Sequence, residues 1–157
     1  VEITELGNGY SFEIGMITRF FESKGIYLED YLDYIPSFAF TGWNQKDFSR
    51  WTKKLGDSED WVVVPPNIQE LDIGAFSAVD IPKLALPDVK EIDECCFDRS
   101  NIKWLKLGKD AGLKENAFYD MDYLLMIDVP DEHLKRMIEQ SRYNLGLDSD
   151  VTVNVVK

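Results

Sequence analysis

Leu71-Asp72-Ile73-Gly74-Ala75-Phe76, Ile92-Asp93-Glu94-Cys95-Cys96-Phe97 and Leu113-Lys114-Glu115-Asn116-Ala117-Phe118 are three versions of one phrase: an aliphatic residue, three variable positions, a small residue and Phe. The Phe residues are twenty-one positions apart in both steps. A fixed period of this length marks stacked supersecondary units, each of which buries its apolar face only against its neighbours. Downstream of each Phe comes a second phrase: Ile81, Leu84, Leu86 and Pro87, then Ile102, Leu105, Leu107 and Gly108. The third unit carries Leu124, Ile127, Val129 and Pro130, with one residue inserted after Phe118. Aliphatics at these spacings suit a short strand whose alternate side chains enter a core.

The pattern extends beyond three units. Ile35, Ala39 and Phe40 read as the start of an earlier unit and Trp61 to Pro65 as its end, separated by about fifteen residues more than the period allows. With its small-residue-plus-Phe turn and its strand ending in Pro, the sequence resembles the BspA-type leucine-rich repeats. That resemblance is carried by residues 68–130 and by the terminal segment Ile127-Asp128-Val129-Pro130-Asp131-Glu132-His133-Leu134. It implies an α/β solenoid with short parallel strands, and a protein that is secreted or displayed on a cell surface. Pro at the strand end stands where many leucine-rich repeats place Asn, so no Asn ladder is expected.

The expected layout is one domain over residues 1–157, made of a helical N-terminal cap (1–34), a split first repeat with a helical insertion (35–67), three repeats (68–130) and a C-terminal cap of helix and strand (131–157). Three N-terminal helices are expected. The first, over Phe12–Ser23, places Met16, Ile17, Phe20 and Phe21 on one face and stops at Gly25. The second carries Leu28, Tyr31, Leu32 and Ile35 and ends at Pro36. These two seal the open end of the stack. The third is capped by Asn44, has Asp47 in its first turn, aligns Phe48, Trp51 and Leu55, and ends at Gly56. The final helix spans Glu132–Asn144, buries Leu134, Met137 and Ile138, and leads through Gly146 to the strand at 151–156.

The composition is that of a folded chain: 45% hydrophobic, 13% aromatic, with a net charge of −12. No apolar run reaches the length of a membrane span, and residues 1–30 hold no charged-then-apolar-then-small secretion pattern. Acids outnumber bases eleven to six in residues 1–67 and eighteen to eleven in 68–157, so no basic stripe exists to replace phosphate counterions and direct nucleic-acid binding is not expected.

Few residues offer chemistry. Cys95 and Cys96 are adjacent and cannot pair with each other without ring strain; Cys96 occupies the small core position held elsewhere by Ala39, Ala75 and Ala117. His133 is the sole histidine and begins the last helix. Acidic pairs such as Asp120 with Asp122 and Asp148 with Asp150 lack the spacing and glycine of a calcium loop. Gly7 and Gly9 read as a turn. No catalytic residue, cofactor or metal is expected.

What the repeats build is a surface. The outward strand positions form two rows across the sheet: Trp61, Lys83, Trp104 and Met126, then Val63, Ala85, Lys106 and Asp128. Trp61, Trp104 and Met126 supply anchors of the kind that dominate binding energy, and Lys83, Lys106 and Asp128 supply charge selectivity. The expected function is a non-catalytic module binding another protein, which the resemblance makes a host or matrix surface protein. Two alternatives accompany it: a cytoplasmic, phage-type acidic inhibitor blocking a nucleic-acid enzyme, and a carbohydrate-binding or carbohydrate-active protein. A competing structural reading has the inserted helix bearing Trp51 fold over the rows as a lid.

Overall fold

A computed structural model describes residues 7–55 and 60–156. The molecule is mixed α/β, with two sheets that run side by side along the chain. Two-residue strands β1 (Tyr34–Ile35), β4 (Glu70–Leu71), β6 (Glu91–Ile92) and β8 (Gly112–Leu113) pair in that order, all parallel. The second sheet has the order β10-β9-β7-β5-β3-β2, built from β2 (Thr52–Lys54), β3 (Asp60–Val63), β5 (Lys83–Leu86), β7 (Trp104–Leu107), β9 (Met126–Val129) and β10 (Thr152–Val155). All its pairings are parallel except β2 with β3.

The Phe phrase is the joint between the sheets. Phe40, Phe76, Phe97 and Phe118 are each no more than 1% exposed, and their rings follow one another along the chain at centroid separations of 5.4, 6.1 and 6.5 Å, tilted in the first step and stacked in the next two. Around every Phe the backbone repeats a rarer feature. Two positions before it, Phe38, Gly74, Cys95 and Asn116 all have positive φ; two positions after it, so do Gly42, Ala78, Arg99 and Asp120. These left-handed residues turn backbone donors toward the next unit: the N–H groups of Gly42, Ala78 and Arg99 donate to the carbonyls of Ser77, Asp98 and Asp120. Buried turns thereby satisfy their polar backbone across the repeat instead of within it. Cys96, fully buried beside Phe97, takes the small position of this joint.

The N-terminal region departs from the two-helix cap and the helical insertion expected from sequence. Helix α1 covers Gly7–Ser23, so Gly7 and Gly9 lie in a helix and not in a turn. Its orientation is the reverse of the one expected. Ser11, Gly15 and Thr18 face the body, while Phe12, Met16, Ile17, Phe20 and Phe21 are 42–63% exposed. A Cβ at Gly15 would run into the Thr41 carbonyl, and Trp43 Nε1 donates to the Gly15 carbonyl at 3.0 Å. That close approach, which only glycine permits, fixes which face points inward.

The second expected helix is reduced to one 3₁₀ turn, Leu28–Asp30. Ile35 leaves the helical pattern to pair with Leu71 as β1, and Tyr31 is 74% exposed. The third is absent as well. Asn44 and Asp47 do form a reciprocal cap, each backbone N–H donating to the other's side chain at 2.9 and 3.0 Å. However, Phe48 and Trp51 are then drawn into an aromatic interior with Phe40 and Trp43, and Thr52–Lys54 extend to pair antiparallel with β3. Tertiary packing overrides the capping signal. Gly56, the expected helix stop, lies outside the described residues.

At the other end, Asp131 caps α2 (Glu132–Gln140) by accepting from Leu134 N–H at 2.9 Å. The helix breaks at Ser141 and resumes as α3 (Arg142–Leu145), closed by left-handed Gly146. Leu134 and Ile138 are buried, but Met137 is 46% exposed and does not join the core. Strand β10 then pairs with β9 and closes the sheet edge.

Candidate binding face

On β3, β5, β7, β9 and β10, alternate side chains enter the core. Val62, Leu84, Leu86, Leu105, Leu107, Ile127, Val129 and Val153 point into the core, which leaves the intervening residues on the outer side. Register pairs Lys83 with Trp104 and Trp104 with Met126; the Val62–Leu84 pairing places Trp61 beside Lys83. Val63, Ala85, Lys106 and Asp128 are likewise neighbours across successive strands. Both rows lie side by side.

They are longer than expected. Lys53 pairs with Trp61 from β2, while Thr152 and Asn154 continue the rows on β10. Lys53 escapes a sequence reading because its segment carries a helix pattern. Asn154 was within reach, since 151–156 reads as a strand and needed only to be laid against β9.

The rows are not simply open. Trp61 is only 5% exposed and packs edge-to-face on Trp104 at 5.1 Å and 63°. The Lys83 ammonium lies 4.8 Å from the Trp104 ring centroid and 5.6 Å from that of Trp61, a cation–π placement with both indoles. Trp61 therefore supports the face from beneath instead of presenting itself as an anchor. Asp128 is also buried, at 4% exposure. Its two oxygens accept from Trp104 Nε1 at 2.7 Å and Asn154 Nδ2 at 3.3 Å. A charge so placed orients the indole; it does not select a partner's charge from the surface. Ala85 is covered too, whereas Lys83, Trp104, Lys106 and Met126 remain half-exposed.

Between β5, β7 and β9 runs an open groove of about 480 Å³, lined by Asp60, Pro82, Lys83, Lys103, Trp104, Leu125 and Met126. Leu125 is 57% exposed at its edge. Pro82, Trp104, Leu125 and Met126 give it an apolar floor, with Lys83 and Lys103 adding positive charge. The expected lid does not form: Trp51 sits in the interior against Phe40 and Phe48, and its Nε1 donates to Glu29 Oε1 at 3.1 Å.

Elsewhere, chemistry-bearing groups are occupied or dispersed. Burial pushes the Cys96 thiol well above its ordinary pKa, and raises Cys95 less strongly; both are free cysteines. His133 is exposed. Asp120 and Asp122 line a second groove of about 590 Å³ with Glu115, Asp148, Tyr119 and Tyr143. Burial, then the charges of Asp122 and Asp98, hold the Asp120 carboxyl above the usual range. Among the described residues, no three His, Cys, Asp or Glu side chains converge to hold a metal, and no helix is long and apolar enough to cross a membrane. In comparison with known proteins, the chain matches no family model, no curated protein and no solved structure.

Proposed function

We propose that this chain is a BspA-type leucine-rich-repeat solenoid that acts as a secreted or surface-displayed, non-catalytic binding module, and that it engages another protein through the outer face of the second sheet. The observation carrying this reading is the groove whose floor is Trp104, Leu125 and Met126 and whose charged lining is Lys83 and Lys103 with Asp60. Its side chains stand on parallel strands about 4.8 Å apart, and Trp104 is held by a hydrogen bond on one edge and an indole on the other. Such preformed groups lose little freedom on binding, which is what lets a modest surface yield useful affinity.

The test uses a panel of purified matrix and host-surface proteins, with binding measured by surface plasmon resonance. Leu125→Glu alters an exposed edge and should leave the thermal midpoint within about 2 °C while weakening binding at least tenfold. Trp104→Ala should weaken binding by about 2 kcal/mol or more, and should also cost stability through its lost stack and hydrogen bond, roughly 1–3 kcal/mol. A bound partner indifferent to both substitutions would remove the sheet face from the account.

The acidic groove at the C-terminal end favours a second reading. Glu115, Asp120, Asp122 and Asp148 around Tyr119 and Tyr143 fit an inhibitor that offers negative charge to the basic channel of a nucleic-acid enzyme. That reading requires inhibition that falls steeply with salt and disappears on Asp120→Asn/Asp122→Asn, with Leu125→Glu having no effect.

A further inference from the structure

Helix α1 packs on the body with its small residues and turns its large apolar ones outward. At 100° per residue, Ser11, Gly15, Thr18 and Glu22 share one arc. Phe12, Met16, Phe20, Ile17 and Phe21 span the opposite one, and the first set faces inward. The helix closes in a Schellman motif, with Gly25 N–H donating to the Glu22 carbonyl and Ile26 N–H to the Phe21 carbonyl. That closure brings Ile26, itself 43% exposed, to the Phe21 end of the apolar arc. Rotation about the helix axis cannot hide this arc, because Gly15 is locked against Thr41 and Trp43, and ion pairs from Arg19 to Asp47 and from Arg50 to Glu22 tie down its flanks.

At roughly 150–250 Å² for a fully exposed large side chain, the fractional exposures of these six residues leave roughly 450–750 Å² of apolar surface in one patch, at or above the upper end of what monomers leave open. Two such patches face to face, with a polar rim, reach the roughly 1,200–2,000 Å² of a specific interface. A membrane surface is a poor occupant: interfacial helices carry Lys and Arg on the polar face, whereas the polar side of this one carries Glu22 with a single Arg, on a chain of net charge −12.

Charge placement selects a second copy of the same chain. Two charged residues fall within the apolar arc, Glu13 near its start and Lys24 just past its end; both are exposed, and the Lys24 ammonium lies 5.6 Å from the Phe20 ring. If two α1 helices meet antiparallel about a twofold axis between Ile17 and Phe20, Ile17 faces Phe20, Met16 faces Phe21, and Glu13 of each copy faces Lys24 of the other. We infer that the chain forms a twofold dimer through antiparallel contact of helix α1, its apolar ridge flanked by two reciprocal Glu13–Lys24 pairs. The pairing is isologous and therefore closed, as a twofold contact must be.

Sedimentation equilibrium on the full chain from about 1 to 200 µM tests it. The expected species has twice the 18.1 kDa mass of one chain. Glu13→Lys, which sets lysine against lysine, should weaken the dimer at least tenfold, as should Phe20→Glu. The charge exchange Glu13→Lys/Lys24→Glu should restore most of the loss, and circular dichroism should show each variant folded as the parent. A monomer across the whole range, open-ended association, or a dimer that ignores Glu13→Lys and Phe20→Glu would overturn the inference. So would a double variant no tighter than Glu13→Lys alone, since the helices would then not meet antiparallel.

Discussion

Ala78→Gly should stabilise the protein, and the reason lies two residues beyond Phe76. Ala78 sits at φ 55° in the joint between the sheets, at the position occupied by Gly42 one unit earlier and by Arg99 and Asp120 in the next two. An L-residue in the left-handed region costs roughly 1–2 kcal/mol, and glycine removes that cost. Glycine also frees the unfolded chain, which returns about 0.4–1 kcal/mol. Only a half-exposed methyl is lost otherwise. The net gain is about 0.5–1 kcal/mol, or roughly 1–4 °C in Tm for a domain of this size. The converse substitution, Gly42→Ala at φ 76°, incurs the same backbone cost, and its Cβ would lie 2.7 Å from the Phe12 ring, so it should lose at least as much. Urea and thermal unfolding of both variants measure the pair, with the Ala78 N–H bond to Asp98 retained in each case. A loss of 0.5 kcal/mol or more for Ala78→Gly would refute the reasoning, because the strain assigned to the joint would not exist.

Iodoacetamide at pH 8 should label Cys95 slowly and Cys96 only on unfolding, since burial raises both thiols and fully encloses the second; rapid labelling of Cys96 in the native chain would contradict its place in the core. Asp72 and Asp120 have carboxyls raised first by burial and then by neighbouring acids, Asp93 for one and Asp122 for the other. A raised carboxyl keeps its proton in the fold at a pH where the unfolded chain has lost it, so it opposes folding increasingly as pH rises past the ordinary carboxylate value. Asp72→Asn and Asp120→Asn should therefore raise Tm at pH 7.5 and do so less at pH 3.5; an equal gain at both would mean that charge is not the cause. Phe97→Ala, which opens a hole in the ring ladder, should cost about 3–5 kcal/mol by urea unfolding; a loss below 1 kcal/mol would mean the ladder is not the joint.

How far the sequence could be read followed from where its periodicity held. Between Leu71 and Val129 the step of twenty-one residues placed one strand per unit, β5, β7 and β9, and set the register that brings Lys83, Trp104 and Met126 together, because each unit repeats the same local demands; the two-residue strands β4, β6 and β8, which form a sheet of their own, were too short to show in the pattern. Outside that span the pattern misled. Phe48, Trp51 and Leu55 have helical spacing, yet Phe48 and Trp51 answer to the aromatic interior around Phe40. On α1, amphipathicity alone predicts the apolar face inward, and the opposite outcome follows from a single close approach at Gly15 that no hydropathy pattern encodes. The candidate face was legible as a pair of rows but not in its depth. Trp61 and Asp128 point outward by alternation, yet both are buried by a stack and a hydrogen bond between neighbouring strands. Those contacts depend on which side chains meet across the sheet. A left-handed backbone at Cys95 or Arg99 has no signature of its own; only alignment with Gly74 and Gly42 reveals it.

The most direct test of a binding role for the sheet face is covalent footprinting of the chain alone and in complex with a partner from the protein panel, reading lysine acetylation and carboxylate modification in one experiment. The account predicts that Lys83, Lys103 and Lys106 lose reactivity on binding while Glu115, Asp120 and Asp148 keep theirs. Protection at those acids with the three lysines unchanged would contradict it, moving the site to the other end of the molecule.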